Sequence, residues 1–178
     1  MTRGGRGRRE SMGGMVFVRE ISADDWELMR DVRLAALAEA PDAFGSTYAR
    51  EVAFGERQWR GRISERSVTF FAYTDPDSSP AGLAGVYVED GVADLVSMWV
   101  RPGSRGQKVG EALIEAAAAW AKSRDFGTLW LWVTDMNDAA RRLYERCGFT
   151  VTGEEQPLPS NPAPHGSHRS RSATAPRT

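Results

Sequence analysis

Three strand-like segments follow one another near the middle of the chain, and this run constrains the fold more than any other feature. Apolar patterns typical of strands cover 68–74, 82–88 and 92–100. A turn rich in Pro and Ser separates the first two, and Glu89-Asp90-Gly91 separates the last two. Because turns this short join strands in antiparallel hairpins, the segment predicts an antiparallel meander.

Helical patterns flank this meander on both sides. In chain order we predict a strand at 15–20, a helix capped by Ser22, a short helix around 56–63, the meander, a helix at 107–124, a strand at 129–134, a helix from Asn137 to Cys147 and a strand at 149–152. The two longer helices carry stripes at helical spacing, which are Trp26, Met29, Val32, Arg33 and Leu37 on the first and Val109, Leu113, Ala116 and Trp120 on the second. This order predicts a mixed α/β fold in which helices flank a central, mostly antiparallel sheet.

The two ends of the chain differ from residues 15–156, which we take as one domain. Residues 1–14 are rich in Gly and Arg, and residues 157–178 are rich in Pro and Ser. Neither segment has an apolar pattern to bury, so we expect a disordered leader and a disordered tail. Both ends are basic in a chain of formal net charge −1, which leaves the domain acidic. An acidic domain argues against nucleic-acid binding.

Several residue types are too scarce for whole classes of chemistry. His165 and His168 are the only histidines and both lie in the tail, so we expect no imidazole-based nucleophile and no His-ligated metal. Cys147 is the single cysteine, which excludes an intrachain disulfide and favours a packing role. No apolar run approaches the ~18 residues of a membrane helix. The basic N-terminus is not followed by an apolar segment of the signal-peptide type. We expect a cytoplasmic protein that binds no membrane.

A basic, glycine-containing loop joins the strand at 92–100 to the helix that follows. The start of a helix presents unpaired backbone N–H groups beside the positive end of the helix dipole, which suits a pyrophosphate. Gly106 and Gly110 would let a ligand approach the backbone, while Arg105 and Lys108 add positive charge. Taken alone, the loop could equally be a helix start with solubilising cations.

Residues 94–153 resemble the Gcn5-related N-acetyltransferase (GNAT) superfamily. The matching positions are Val100 at the end of a strand, the loop Arg105 to Gly110, and the later series Asn137, Ala140, Tyr144, Gly148 and Phe149. Residues 33–37 and 42–46 are also similar to the acceptor-side helices of many bacterial members. The resemblance covers most of residues 15–156 and implies the acyl-CoA N-acyltransferase fold of that superfamily.

The resemblance also implies a role for each matching position, with acetyl-CoA as the co-substrate and no metal. Backbone groups of Met98, Trp99 and Val100 would pair with the pantetheine arm. The amides of Arg105, Gly106, Gln107, Lys108, Val109 and Gly110 would hold the pyrophosphate. Asn137 would bind the pantetheine, and Tyr144 would protonate the departing thiolate. Without the resemblance, Asn137 would be a helix cap and Tyr144 a core residue.

The implied activity is N-acetylation of a small-molecule primary amine by direct attack on the thioester. Two alternatives stay open: acetylation of a protein N-terminus or lysine, and a non-catalytic acyl-CoA-binding domain. The base is unassigned because Trp132 stands where some relatives keep a Glu; the candidates are Glu51, Glu89, Asp94 and Asp135. The tryptophans Trp99, Trp130 and Trp132 could form sheet core or an aromatic floor for the acceptor.

Two further departures from the superfamily pattern bear on the structure. Lys108 stands where the loop usually has Gly; a positive φ there would strain it by ~1 kcal/mol or more, or else it supplies a phosphate-binding cation. Residues 157–178 show no strand pattern, so we expect the final strand of the sheet to be missing or altered. The edge would then be unpaired, or a second copy would complete it in a homodimer.

Overall fold

The computed structural model describes residues 15–157 and 168–174. Within them the chain forms β1 (Phe17–Glu20), α1 (Trp26–Glu39), α2 (Tyr48–Glu51), α3 (Glu56–Arg60), β2 (Ser67–Tyr73), β3 (Gly82–Glu89), β4 (Val92–Val100), α4 (Val109–Ser123), β5 (Leu129–Thr134), α5 (Asp138–Arg146), β6 (Thr150–Pro157) and β7 (His168–Thr174). Short 3-10 turns occupy Ala23–Asp25, Pro41–Ala43 and Pro102–Ser104. The strands at 92–100 and 129–134 have the predicted bounds, and α2 is an element that the sequence did not predict.

The seven described strands form one sheet in the order β1-β2-β3-β4-β5-β7-β6. Strands β2, β3 and β4 are antiparallel neighbours, which confirms the predicted meander. The β4–β5 pair is parallel, because α4 crosses over between them, and the other pairs are antiparallel. The mixed α/β architecture with a mostly antiparallel sheet is therefore confirmed.

Two hydrophobic cores lie on opposite faces of the sheet. On one face, α4 packs its stripe, including Val109 and Leu113, against alternate residues of the strands. On the other face, Met29 and Leu37 of α1 pack against the inward side chains of β2, β3 and β4. The alternation of side chains along each strand supplies both cores, so β4 contributes residues to the core beneath α1 and to the core beneath α4.

The expectation that the sheet lacks its final strand is wrong. β7 lies between β5 and β6 and pairs antiparallel with both of them. Its sequence, HRSRSAT, has almost no apolar residues, so no hydrophobic pattern marked it; backbone pairing does not require one. The tail prediction is thus wrong for Pro157 and His168–Thr174. β7 occupies the edge of β5 that we expected to be unpaired or completed by a second copy. Residues 1–14, 158–167 and 175–178 lie outside the described residues.

Within the described residues there is neither a membrane-spanning helix nor a cluster of metal-binding side chains. None of the described helices combines the length and the apolarity needed to cross a bilayer. Nor do the described histidine, cysteine, aspartate and glutamate side chains come together in a group of three or more that could hold a metal ion.

Candidate active site

A cavity of about 1240 Å³ opens where β4 and β5 separate. β5 pairs with β4 only at residues 93–95, so residues 96–100 have no described strand beside them on that side. The register between β3 and β4 also shifts here, and Ser97 and Met98 together face one residue of β3. Ser97 has φ +57°, which marks a β-bulge. The separated strands leave backbone hydrogen-bonding groups of β4 facing the cavity.

The loop after β4 forms one end of this cavity. Gly106 has φ +78° and no atom within 4 Å of where its Cβ would lie, so the backbone is open to a ligand there. No described residue accepts a hydrogen bond from the backbone N–H groups of Gly106, Gln107 or Lys108. The first N–H groups of α4 lie directly after them and lack intrahelical acceptors. This row of donors suits an anion.

Lys108 adopts the left-handed conformation that the sequence left as one possibility. Its φ is +63° and it is the N-cap of α4, with no side-chain cap hydrogen bond. A lysine in this region carries a strain of about 1 kcal/mol or more. Lys108 also lines the cavity, so it is placed as a cation beside the row of amides.

The other loop residues divide into two groups. Arg105 lines the cavity, but its guanidinium is paired with Glu39 of α1 and donates to the carbonyl of Val100. Gln107 is absent from the cavity lining, and its side chain donates to the carbonyl of Gly103 at 3.0 Å. Its backbone amide, not its side chain, remains available to a ligand.

Gly110 lines the cavity, but its lack of a side chain has a packing cause. A Cβ there would lie 2.8 Å from Leu143 Cδ2 and 3.4 Å from Met98 Cε. The glycine therefore lets α4 approach α5 and β4 closely. We expected it to admit a ligand to the backbone; the close contact that requires glycine is with the protein itself.

Asn137 and Tyr144 also line the cavity, one at the N-cap of α5 and the other near its last residue. The Asn137 side chain accepts from the N–H of Ala140 at 3.1 Å and caps the helix. Tyr144 is 8% exposed and packs edge-on against Phe149. Burial, with a smaller contribution from Cys147, raises the pKa of the Tyr144 phenol well above its usual value. The phenol therefore stays protonated through the neutral range.

The far end of the cavity is built around a buried ion pair. Arg33 donates from Nε and Nη2 to the two oxygens of Glu51, both at 3.0 Å. Arg33 Nη1 also donates to Ser97 Oγ at 3.1 Å, so the pair supports the bulge of β4. Sequence reasoning placed Arg33 in the helix stripe but missed this link, because nothing in the sequence marks contacts between residues so far apart.

Glu51 cannot serve as the base. Its side chain has no exposed surface. Burial alone would raise its pKa, but the hydrogen bonds and charge of Arg33, together with Arg62, lower the pKa below its ordinary value. Of the other candidates, Asp94 lines the cavity, whereas Glu89 and Asp135 are absent from its lining.

The three tryptophans have different surroundings. Trp99 is buried in the core beneath α1, and its indole N–H donates to Glu39 at 2.9 Å. Trp132 lines the cavity and can form part of an aromatic floor. Trp130 is the register partner of Asp94 across the β4–β5 pair, on the same face as Trp132.

Comparison with known proteins gives a consistent family assignment. Residues 26–149 match the model of the acetyltransferase (GNAT) family. The streptothricin acetyltransferase of Streptomyces lavendulae is 41% identical over 69 residues, which are 39% of this chain and 36% of that protein. The chain spans less than half the length of the first curated relatives that it matches.

Solved structures agree on the fold. The ribosomal-protein-S18-alanine N-acetyltransferase from Escherichia coli superposes with a TM-score of 0.66 at 22% identity, covering 92% of this chain and 96% of that one. The PaiA N-acetyltransferase from Thermoplasma acidophilum, in complex with coenzyme A, gives a TM-score of 0.61 at 17% identity, covering 90% and 99%. At these identities the likeness concerns the fold alone, and it confirms the one implied by the sequence resemblance.

Proposed function

The chain belongs to the acetyltransferase (GNAT) family, and from this premise we propose that it moves an acetyl group from acetyl-CoA to a primary amine of a small molecule. The observation that carries the proposal is the open side of β4 between a row of unpaired amides and a buried phenol. Residues of all three features line one cavity, and the proposal assigns them to the diphosphate, the pantetheine arm and the thioester.

The loop fits the diphosphate of the coenzyme. The open backbone at Gly106 and the amides that follow can donate to phosphate oxygens, and Lys108 adds a charge. In the proposal, backbone groups of Met98, Trp99 and Val100 pair with the pantetheine arm, with Asn137 opposite. Arg105 then acts mainly by fixing the loop, because its guanidinium is already paired with Glu39.

Acetyl transfer requires stabilisation of two developing charges. When the amine attacks the thioester, negative charge appears first on the carbonyl oxygen, which a backbone N–H at the β4 bulge can stabilise. The charge then moves to sulfur, where Tyr144 donates from its hydroxyl as the general acid. Its raised pKa keeps that donor protonated. The pKa of a thiol, about 8.5, is lower than that of the buried phenol. Tyr144 therefore stabilises the departing sulfur mainly through the hydrogen bond that its hydroxyl donates.

The attacking amine must also lose a proton. Asp94 lies on β4 and lines the cavity, with Tyr87 as its register partner on β3. Of the four carboxylates considered from the sequence, it is the one placed to accept that proton, directly or through water. No covalent enzyme intermediate is needed.

The names of the relatives support a small-molecule acceptor and are also compatible with a protein acceptor. The streptothricin acetyltransferase, by its name, acts on a small molecule. The neighbour from Escherichia coli, by its name, acts on a ribosomal protein alanine, so a protein N-terminus is the second candidate. We also propose that the enzyme works in the cytoplasm, where a chain with one cysteine needs no disulfide.

An amine panel tests the proposal. Purified protein is incubated with acetyl-CoA and, separately, with alkylamines, polyamines, amino acids, aminoglycoside-type compounds and a peptide beginning with alanine. Thiol release and the mass of the product are followed. We expect acetylation of at least one small amine at a rate well above peptide acetylation. Preference for the peptide would support the second candidate, and binding of acetyl-CoA without transfer to any amine would support a binding domain.

A further inference from the structure

The far end of the cavity carries more positive than negative charge. Two arginines, Arg33 and Arg62, face the single carboxylate of Glu51. Arg33 on α1 and Arg62 in the turn after α3 line the cavity, whereas Glu51 on α2 lies behind them and is absent from the lining. This end therefore differs from the domain as a whole, which is acidic.

Arg33 alone donates a hydrogen bond to each carboxylate oxygen of Glu51. Its Nε and Nη2 atoms each donate to one carboxylate oxygen at 3.0 Å, and Nη1 donates to Ser97. Its guanidinium also lies 4.4 Å from the ring centre of Phe44. Arg33 is 3% exposed and Glu51 is fully buried. The pair is neutral and buried: three of the five N–H groups of the Arg33 guanidinium are used, and little of its surface is open to a ligand.

Arg62 is the arginine with unused capacity. Its Nη1 lies 3.3 Å from Glu51 Oε2, and no other described residue accepts a hydrogen bond from its guanidinium. The side chain is 29% exposed and is held over the ring of Trp59 at 5.5 Å. Burial lowers the pKa of Arg62 and the charge of Arg33 adds to this effect, while Glu51 opposes it. A bound anion would relieve the excess positive charge.

The contacts of the buried ion pair limit how far Arg62 lies from the bulge of β4. Ser97 Oγ, Arg33, Glu51 and Arg62 form an unbroken chain of three contacts. Because each contact spans about 3 Å, the Arg62 guanidinium lies no farther than on the order of 10 Å from the β4 bulge. A molecule of amino-acid size can place an amine at the bulge and an anionic group at Arg62.

We propose that the acceptor is an amine that also carries a carboxylate, and that Arg62 binds this carboxylate while the amine faces the bulge at Ser97. One guanidinium matches one carboxylate in charge and in its two-point hydrogen-bonding geometry. This inference rests on the proposed function and narrows its substrate class. It makes Arg62 the residue that selects carboxylated amines from others of the same length.

Paired acceptors test the inference. Each ω-amino acid, from three to eight carbons, is compared with the alkylamine of the same chain length, which lacks the carboxylate but has an amine of similar basicity. We expect kcat/KM for the amino acid to exceed that for the alkylamine by a factor of about ten or more at the chain length that spans the two sites. The excess should appear mainly in KM.

Variants assign the preference to one residue. Arg62→Gln should bring the ratio of the two kcat/KM values close to one, and Arg62→Lys, which keeps the charge but loses the planar fork, should give an intermediate ratio. Arg57→Gln is the matched control, because Arg57 lies on α3 and is exposed outside the cavity lining; its ratio should equal that of the wild type. If Arg62→Gln does not fold, Arg62→Lys carries the test.

The outcomes separate this inference from the proposed function. Transfer to alkylamines with a wild-type ratio of one or less at every chain length overturns the inference and leaves the acetyltransferase proposal standing. A wild-type ratio that persists in both Arg62 variants also overturns it, since another group would then bind the carboxylate. If no amine is acetylated although acetyl-CoA binds, the proposed function fails and the inference fails with it.

Discussion

Arg105 donates from one guanidinium nitrogen to both carboxylate oxygens of Glu39, at 3.0 and 2.8 Å. The carboxylate also accepts from the indole of Trp99, and Arg105 Nε donates to the carbonyl of Val100 at 3.1 Å. The hydrogen bond from Trp99, with that from Arg105, lowers the pKa of Glu39. These contacts tie the end of α1 to the loop that precedes α4, so the two parts of the cavity wall that these elements form are held together.

This contact predicts that Arg105 and Glu39 act as a unit. Arg105→Ala and Glu39→Ala should each weaken acetyl-CoA binding by roughly two- to fivefold, since an exposed ion pair contributes at most about 1 kcal/mol. The double variant should bind no more weakly than either single variant, because both changes release the same loop. Calorimetric titration of the four proteins measures the coupling. Tighter binding by Glu39→Ala would instead show that the carboxylate competes with the diphosphate for Arg105.

Replacing Lys108 by glycine should have opposite effects on stability and on acetyl-CoA binding. Lys108→Gly removes the strain of a non-glycine residue at φ +63° and should raise the free energy of unfolding by up to about 1 kcal/mol. The same change removes a cation next to the amide row and should weaken acetyl-CoA binding by roughly threefold. Lys108→Ala is the matched control: it should weaken binding equally without the gain in stability. Urea unfolding and calorimetry measure the two effects, and unchanged affinity in both variants would remove Lys108 from the diphosphate site.

Replacing Tyr144 by phenylalanine should lower turnover without weakening acetyl-CoA binding to the same degree. Tyr144→Phe removes only the hydroxyl and should lower kcat by about 10², with the dissociation constant of acetyl-CoA changed by less than about threefold. Because burial raises the pKa of the phenol, the wild-type rate should not fall through loss of this proton below about pH 10, the ordinary phenol value. Tyr48→Phe, on the exposed surface of α2, is the control. Equal kcat for Tyr144→Phe and wild type would exclude the hydroxyl from the reaction.

The buried carboxylate of Glu51 should make the free energy of unfolding depend on pH. Its pKa is lowered in the folded protein, so its contribution is complete above the ordinary carboxyl value of about 4.3 and is lost as pH falls through the lowered value. Glu51→Gln should therefore reduce the free energy of unfolding by roughly 3 kcal/mol near pH 7, and the difference from wild type should shrink below about pH 4. Glu27→Gln, at an exposed position of α1, should show no such trend. A constant difference across the pH range would mean that packing, not charge, explains the effect.

The sequence predicted the central elements because their burial patterns are strong. The strand at 92–100 has a polar turn before it and Pro102 after it, and its predicted bounds agree with β4. Asn137 was correctly expected to cap α5, since its side chain accepts a local hydrogen bond that depends only on neighbouring residues. Local signals of this kind are readable without the fold.

Other features depend on contacts that the sequence does not reveal. β7 lacks an apolar pattern and exists through backbone pairing with β5 and β6. The Arg33–Glu51 pair joins two helices of different segments, and its link to Ser97 spans 64 residues. Gly110 reads as a ligand-binding glycine in the motif, yet its close neighbour is Leu143. In each case tertiary packing determines the role.

The most direct test of this account is a calorimetric titration of the protein with acetyl-CoA and, in parallel, with acetylated pantetheine, which has the thioester arm but no diphosphate. If the amides after Gly106 hold the diphosphate, acetyl-CoA should bind at one site per chain and about 100-fold more tightly than the shorter compound. Equal affinity for the two compounds, or no heat with acetyl-CoA, would contradict the account.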